Sequence, residues 1–194
     1  MEGMIALATG LGLATASGLN AYLPLLTIGI FARMGWIELA GPFGWLTNIF
    51  VLLIIAALAA LDFVGDKVPA VDSGLHAVGL IVSPLAGAIL ALASQGDIAT
   101  VSPILVGLAG LVAAGGTHVT RATIRPVITA ATGGTGNVVV SFIEDVAALG
   151  LSILAMVMPI IALISTLVAG FFVFRTFRGA VRVWRQRETV NGQR

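Results

Sequence analysis

The sequence predicts an all-α, polytopic membrane protein of about six transmembrane helices, and three observations carry that prediction. Hydrophobic residues make up 58% of the chain and charged residues 10%, against about 25% charged in soluble domains. The apolar residues come in continuous runs rather than in alternation, and a bilayer core of about 30 Å needs roughly 20 of them as helix. Inside hydrocarbon only helices and closed barrels satisfy every backbone group, and unbroken runs select the helix.

The first run, Gly3 to Ala32, carries no charge. It lacks a basic leader and a cleavage pattern, so it reads as a retained span. Within it, "ATASGLNAYLPLL" gathers Gly18, Asn20 and Pro24. Gly18 removes bulk, Asn20 offers an amide, and Pro24 has no N–H to return to the carbonyl of Asn20. One reading is an interrupted helix whose freed backbone groups line a cavity. The blander one is a proline kink relieved by packing, with Gly18 as a small-residue contact.

Asn48 to about Val64 forms the second span, Gly74 to Ser94 the third, and Ser102 to Thr117 the fourth. Asn137 to about Val157 and Pro159 to about Trp184 complete six. Val146 to Phe174 is 29 uncharged residues, so one long kinked helix, giving five spans, is the alternative. Six is preferred because Pro159 can open a helix and 29 residues overshoot the bilayer.

Six of the ten basic residues lie from Arg175 to Arg194, and Lys67 is the one basic residue between Met34 and Val119. The positive-inside rule therefore puts the tail in the cytoplasm. An even number of spans puts both termini there, with Lys67, Arg121 and Arg125 inside and Glu38 and Asp97 outside. The expected organisation is one transmembrane domain over 1–184 and a basic cytoplasmic tail over 185–194.

"GLATASGLNAY" can be laid over "GLVAAGGTHVT", pairing Gly12 with Gly110 and Gly18 with Gly116. If real, this marks a 3+3 inverted repeat of the transporter kind.

Polar residues gather in three further places. In "DFVGDKVPAVDSGLHAVG", Asp62 and Asp66 are four apart, as are Asp72 and His76, so each pair shares a helix face. A solvated cytoplasmic turn is the plain reading for Asp62 and Asp72. In the second, His118, Arg121 and Arg125 fall on one face of a helix that Pro126 is expected to end, with Gly133, Gly134 and Gly136 as a flexible link. In the third, Glu144 and Asp145 enter the next helix with apolar residues on both sides. Ionisable groups at membrane depth cost about 3 kcal/mol each on insertion scales, so they must pair or face water. Arg121 or Arg125 with Glu144 or Asp145 is the expected pairing, serving either a site or helix assembly alone.

There is no cysteine, which removes disulfides, thiolate metal sites and cysteine nucleophiles. No phosphate loop, dinucleotide fingerprint or metal-binding pattern appears, and "TGGTGN" lacks the lysine and strand of a phosphate loop. No cofactor, no metal and no nucleic-acid partner is expected, and no motif proposes a reaction.

The stretches "ASGLNAYLPLL", "DFVGDKVPAVDS", "THVTRATIRPVITAATGGTGN" and "SFIEDV" together resemble the bacterial membrane-protein family DUF4126. The resemblance covers nearly the whole chain except the basic tail. It implies an integral membrane protein and supplies no activity; the expected location, in the bacterial cytoplasmic membrane, is a separate reading. The functional expectation is a small transporter or channel for an ion or solute. Its pathway would be lined by Gly18, Asn20, Pro24, Asp66, His118, Arg121, Arg125, Glu144 and Asp145. A chain this short suggests a homodimer. The rival expectations are a membrane scaffold with structural ion pairs and, third, an enzyme acting on a lipid head group.

Overall fold

The first apolar run turns back on itself. In the computed structural model α1 is Glu2–Leu19 and α2 is Tyr22–Arg33, separated at Asn20 and Ala21. The structure describes residues 2–66, 69–96, 101–168, 170, 171 and 175, leaving aside the side chains of 69–73 and 76. A 3-10 helix (Gly41–Thr47) leads into α3 (Ile49–Gly65) and α4 (Pro69–Ala93). Then come α5 (Pro103–Thr132), α6 (Thr135–Val157) and α7 (Pro159–Val168). Among the described residues there is no strand.

Close contacts give the direction of each helix. The Ala40 amide bonds the Ala93 carbonyl at 3.0 Å, so α4 runs from the Asp66 end of α3 back to the segment before α3. A Cβ added to Gly10 would lie 3.0 Å from the Ala91 backbone, whereas Ser17 Oγ reaches the Ser83 carbonyl at 3.4 Å. α1 therefore runs against α4, towards the Asp66 end. α2 runs away from it, because Tyr22 shares a cavity with Asp62 and Gly29 lies against Leu46 and Leu52. The two limbs are a helical hairpin with its tip at Asn20.

The first apolar run is interrupted at Asn20, as the interrupted-helix reading expected, and the interruption is a reversal that puts Glu2 at the end of the bundle opposite Asp66. The physical reason is the tip chemistry described below: Asn20 ends one helix and starts the next. At the far side of α2, Gly35 (φ +74°) closes the helix. The Gly35 amide bonds the Ala32 carbonyl and the Trp36 amide bonds that of Phe31, both at 3.0 Å. Trp36 packs edge-on against Phe31 at 4.9 Å, the hydrophobic contact that accompanies this glycine cap.

α5 runs through Pro126 to Thr132 instead of ending there. A proline costs one backbone bond, which membrane helices tolerate. Gly133 (φ +60°) and Gly134 (φ +90°) form a tight left-handed turn, and Gly136 is already inside α6. The break expected between the last two apolar segments is present at Met158. Ala155 and Ala162 lie 2.9 and 3.3 Å from one point, a Cβ built on Gly12. Seven residues of continuous helix would set them about 10 Å apart, so the chain turns sharply between α6 and α7.

α5 and α6 are each long and apolar enough to cross a membrane, and the 3-10 helix with α3, bent by 68°, is a third candidate. α2, Ala77–Ala93 and α7 are apolar but shorter. Large apolar side chains such as Leu53, Ile54, Ile81, Val112 and Ile143 point outwards, while the interior is mostly alanine, glycine, serine and charged residues. That distribution is the one a polytopic membrane protein requires. The tightest seam joins α4 and α5, where Gly87 and Gly110 each face the other's carbonyl. Small residues allow such backbone approach in lipid.

The repeat finds no support. Gly18 is pressed against Thr117 and Ala114, whereas Gly116 has nothing within 4 Å. α5 also passes unbroken through the position matched with the hairpin tip. Lys67, Asp97 and the tail from residue 176 lie outside the described residues, as do the side chains of Asp72 and His76.

Candidate functional site

Asn20 is the centre of the site, and its own side chain explains the hairpin. Its Oδ1 accepts from the Tyr22 amide at 2.9 Å and the Leu23 amide at 3.1 Å. These are two of the donors a helix start leaves unpaired. Ala21 already has helical dihedrals, so Asn20 is the capping residue of α2. Pro24 follows in the first turn, where its missing N–H costs nothing, and it is fully buried.

The amide nitrogen of Asn20 faces the other way. It donates to Asp62 Oδ2 at 3.0 Å and to Asp145 Oδ1 at 2.9 Å. Two N–H groups on one atom and two carboxylates on the other fix the amide orientation. Asp62 therefore belongs to the site and not to a solvated turn.

Arg121 closes the end of α1. Its Nη1 donates to the Leu19 carbonyl at 2.6 Å, its Nη2 to Asp66 Oδ2 at 2.6 Å, and its Nε to Glu144 Oε2 at 2.7 Å. A cation here also meets the negative end of the α1 dipole. Arg125, one turn on, donates from Nη2 to Glu144 Oε2 at 2.6 Å and to Asp66 Oδ2 at 3.1 Å. Ser141 adds a third bond to Asp66 Oδ2 at 2.7 Å. Glu144 and Asp145, adjacent on α6, diverge by about 100° of helix, one towards the arginines and the other towards Asn20.

The expected pairing of Arg121 and Arg125 with Glu144 is present, and Asp66 joins it. Asp66, Arg121, Arg125 and Asp145 are all at most 7% exposed. Among the described residues the cluster brings together the carboxylates of Asp62, Asp66, Glu144 and Asp145 and the guanidiniums of Arg121 and Arg125.

Beside the cluster lies a cavity of about 20 Å³, lined by Tyr22, Asp62, Asp66, Ser83, His118 and Arg121 among others. That is room for about one water. His118 is buried at its edge, with Nδ1 3.3 Å from Ser83 Oγ. Gly79 faces the imidazole so closely that a Cβ would collide with it.

Of the residues singled out in the sequence, Asn20, Asp66, Arg121, Arg125, Glu144 and Asp145 come together, with His118 alongside. Gly18 makes a packing contact and Pro24 shapes the tip; neither offers a polar group. Asp62, Ser141 and Ser83 were missed. Asp62 was four residues from Asp66, and Ser141 lay one turn before Glu144 and Asp145, so helix spacing carried the signal for both.

The chain matches the family described as "Domain of unknown function (DUF4126)" over residues 7–179. It belongs to the DUF4126 family. No curated protein and no solved structure matches it. In this DUF4126 chain every residue of the cluster falls inside the matched region. Membership carries no assigned activity, so function rests on the chemistry of the cluster. Among the described residues, no group of three or more histidine or acidic side chains has the arrangement to hold a metal ion.

Proposed function

We propose that this protein is a small transporter or channel of the bacterial cytoplasmic membrane, carrying a cation or a proton-coupled solute past the hairpin tip at Asn20. The observation that carries the reading is a buried cluster of carboxylates and guanidiniums gathered where two helix ends meet. Ionisable groups at membrane depth are costly, and the exchange of a proton or a monovalent cation is a function that retains them there. Discontinuous helices whose ends face an ion are the recurrent way transporters build such sites. The water-sized cavity against Asp62 and His118 supplies a place for hydrated passage.

Residues 1–184 would act as one transmembrane unit and 185–194 as a cytoplasmic basic tail, with the Asp66 end towards the cytoplasm. A homodimer would complete a pathway that one short chain encloses poorly. One observation favours a second reading, a scaffold with a structural ion-pair core: Asn20 uses both donors and both acceptor positions within the protein.

The test is flux in liposomes loaded with a pH-sensitive dye, with proton, Na⁺ and K⁺ gradients imposed in turn. Wild type should dissipate one of these gradients. Asp62→Asn, which keeps an acceptor for Asn20, should melt close to wild type and fail to conduct. No flux under any gradient, with no cation raising the melting temperature, would move the assignment to the scaffold.

A further inference from the structure

At the opposite end of the bundle lies a second, larger cavity that the transport reading does not use. It measures about 200 Å³ and is a groove between α1, the end of α4 and the start of α5. Leu7, Leu11, Ala91, Leu105 and Ala109 make its apolar walls, and Gln95 is the polar side chain on its lining. Leu105 and Ala109 are exposed, so the groove opens outwards from the bundle.

Gln95 is 7% exposed. Its Nε2 donates to the Ala91 carbonyl at 3.3 Å, which sets the amide orientation. Among the described residues, its Oε1 is buried with no hydrogen-bond partner. Leaving such an acceptor unmade costs about 1–3 kcal/mol. A water would find one partner there, and buried waters need two to four. The missing group is a donor attached to something apolar.

Position narrows the candidate. Gln95 follows the last turn of α4 and faces the first turns of α5, where the bundle ends and lipid head groups begin. We propose that this groove binds a membrane phospholipid, one acyl chain lying along Leu7, Leu11 and Leu105, and a head-group N–H or O–H donating to Gln95 Oε1. Phosphatidylethanolamine and phosphatidylglycerol carry such donors; phosphatidylcholine, with a quaternary ammonium, carries none in its head group.

The experiment is lipid competition on the full-length protein by native mass spectrometry, with phosphatidylethanolamine and phosphatidylcholine of identical chains. Wild type should retain phosphatidylethanolamine about fivefold over phosphatidylcholine, the factor one net hydrogen bond carries. Gln95→Leu removes an unpaired acceptor, so it should stay folded and bind both lipids equally. Ala109→Phe fills the groove and should lower retention of both. Equal retention by wild type, or a preference that survives Gln95→Leu, overturns the proposal. Undiminished retention in Ala109→Phe would place the lipid elsewhere. None of these outcomes depends on transport.

Discussion

Asn20 shows how one side chain can set a local reversal and a tertiary network together. Its oxygen begins α2 and its nitrogen ties the tip to α3 and α6. Asn20→Ala should cost about 2–4 kcal/mol, from the lost cap and from two carboxylates deprived of a donor. Asn20→Asp keeps the cap acceptor but puts a third carboxylate beside Asp62 and Asp145. Its melting temperature should fall below that of Asn20→Ala at pH 8. The reverse ranking would refute this account of the tip. Asp66 takes three bonds on a single oxygen. Asp66→Asn removes the carboxylate that Arg121 and Arg125 share and should cost about 3–5 kcal/mol, the range for breaking a buried pair. Denaturation in detergent checks it.

At the scale of elements, helices approach through glycine and alanine. A Cβ on Gly87 would collide with Ala114 and approach the Gly110 carbonyl. Gly87→Ala should therefore spread α4 from α5 at about 1–3 kcal/mol, the usual cost of overpacking. Gly116→Ala, one helix away with open space around it, should be neutral or stabilising by up to about 1 kcal/mol through helix propensity. Equal melting temperatures for the two variants would mean the seam is looser than its contacts imply.

For the whole molecule, the hairpin sets the path of the chain through the helix bundle. The chain has no cysteine, so single cysteines report sidedness without a background. Glu2→Cys and Gly41→Cys, both at exposed positions, should react with an impermeant maleimide from one side, and Gly134→Cys from the other. Glu2→Cys labelling together with Gly134→Cys would restore a single first span.

The helical membrane class, the bounds of α3 and α6 and most of the charged cluster were legible in the sequence, whereas the end of α5 was not. Apolar runs must be helical in lipid whatever their neighbours. Charges inside them must find each other, which is why Arg121 and Arg125 could be matched with Glu144. The sense of the break at Asn20 was not legible. Glycine, asparagine and proline in seven residues are compatible with a kink or with a reversal. What decides between them is whether Asp62, Asp145 and Arg121, 42 to 125 residues distant for the two aspartates, converge on that point. The composition of the chain by itself determined that its polar groups must be paired in a membrane. Only the tertiary structure decided that the pairs meet at a hairpin tip, because the long-range bonds from Asp62, Asp145 and Arg121, and not the local cap alone, hold Asn20 and the end of α1 at that point.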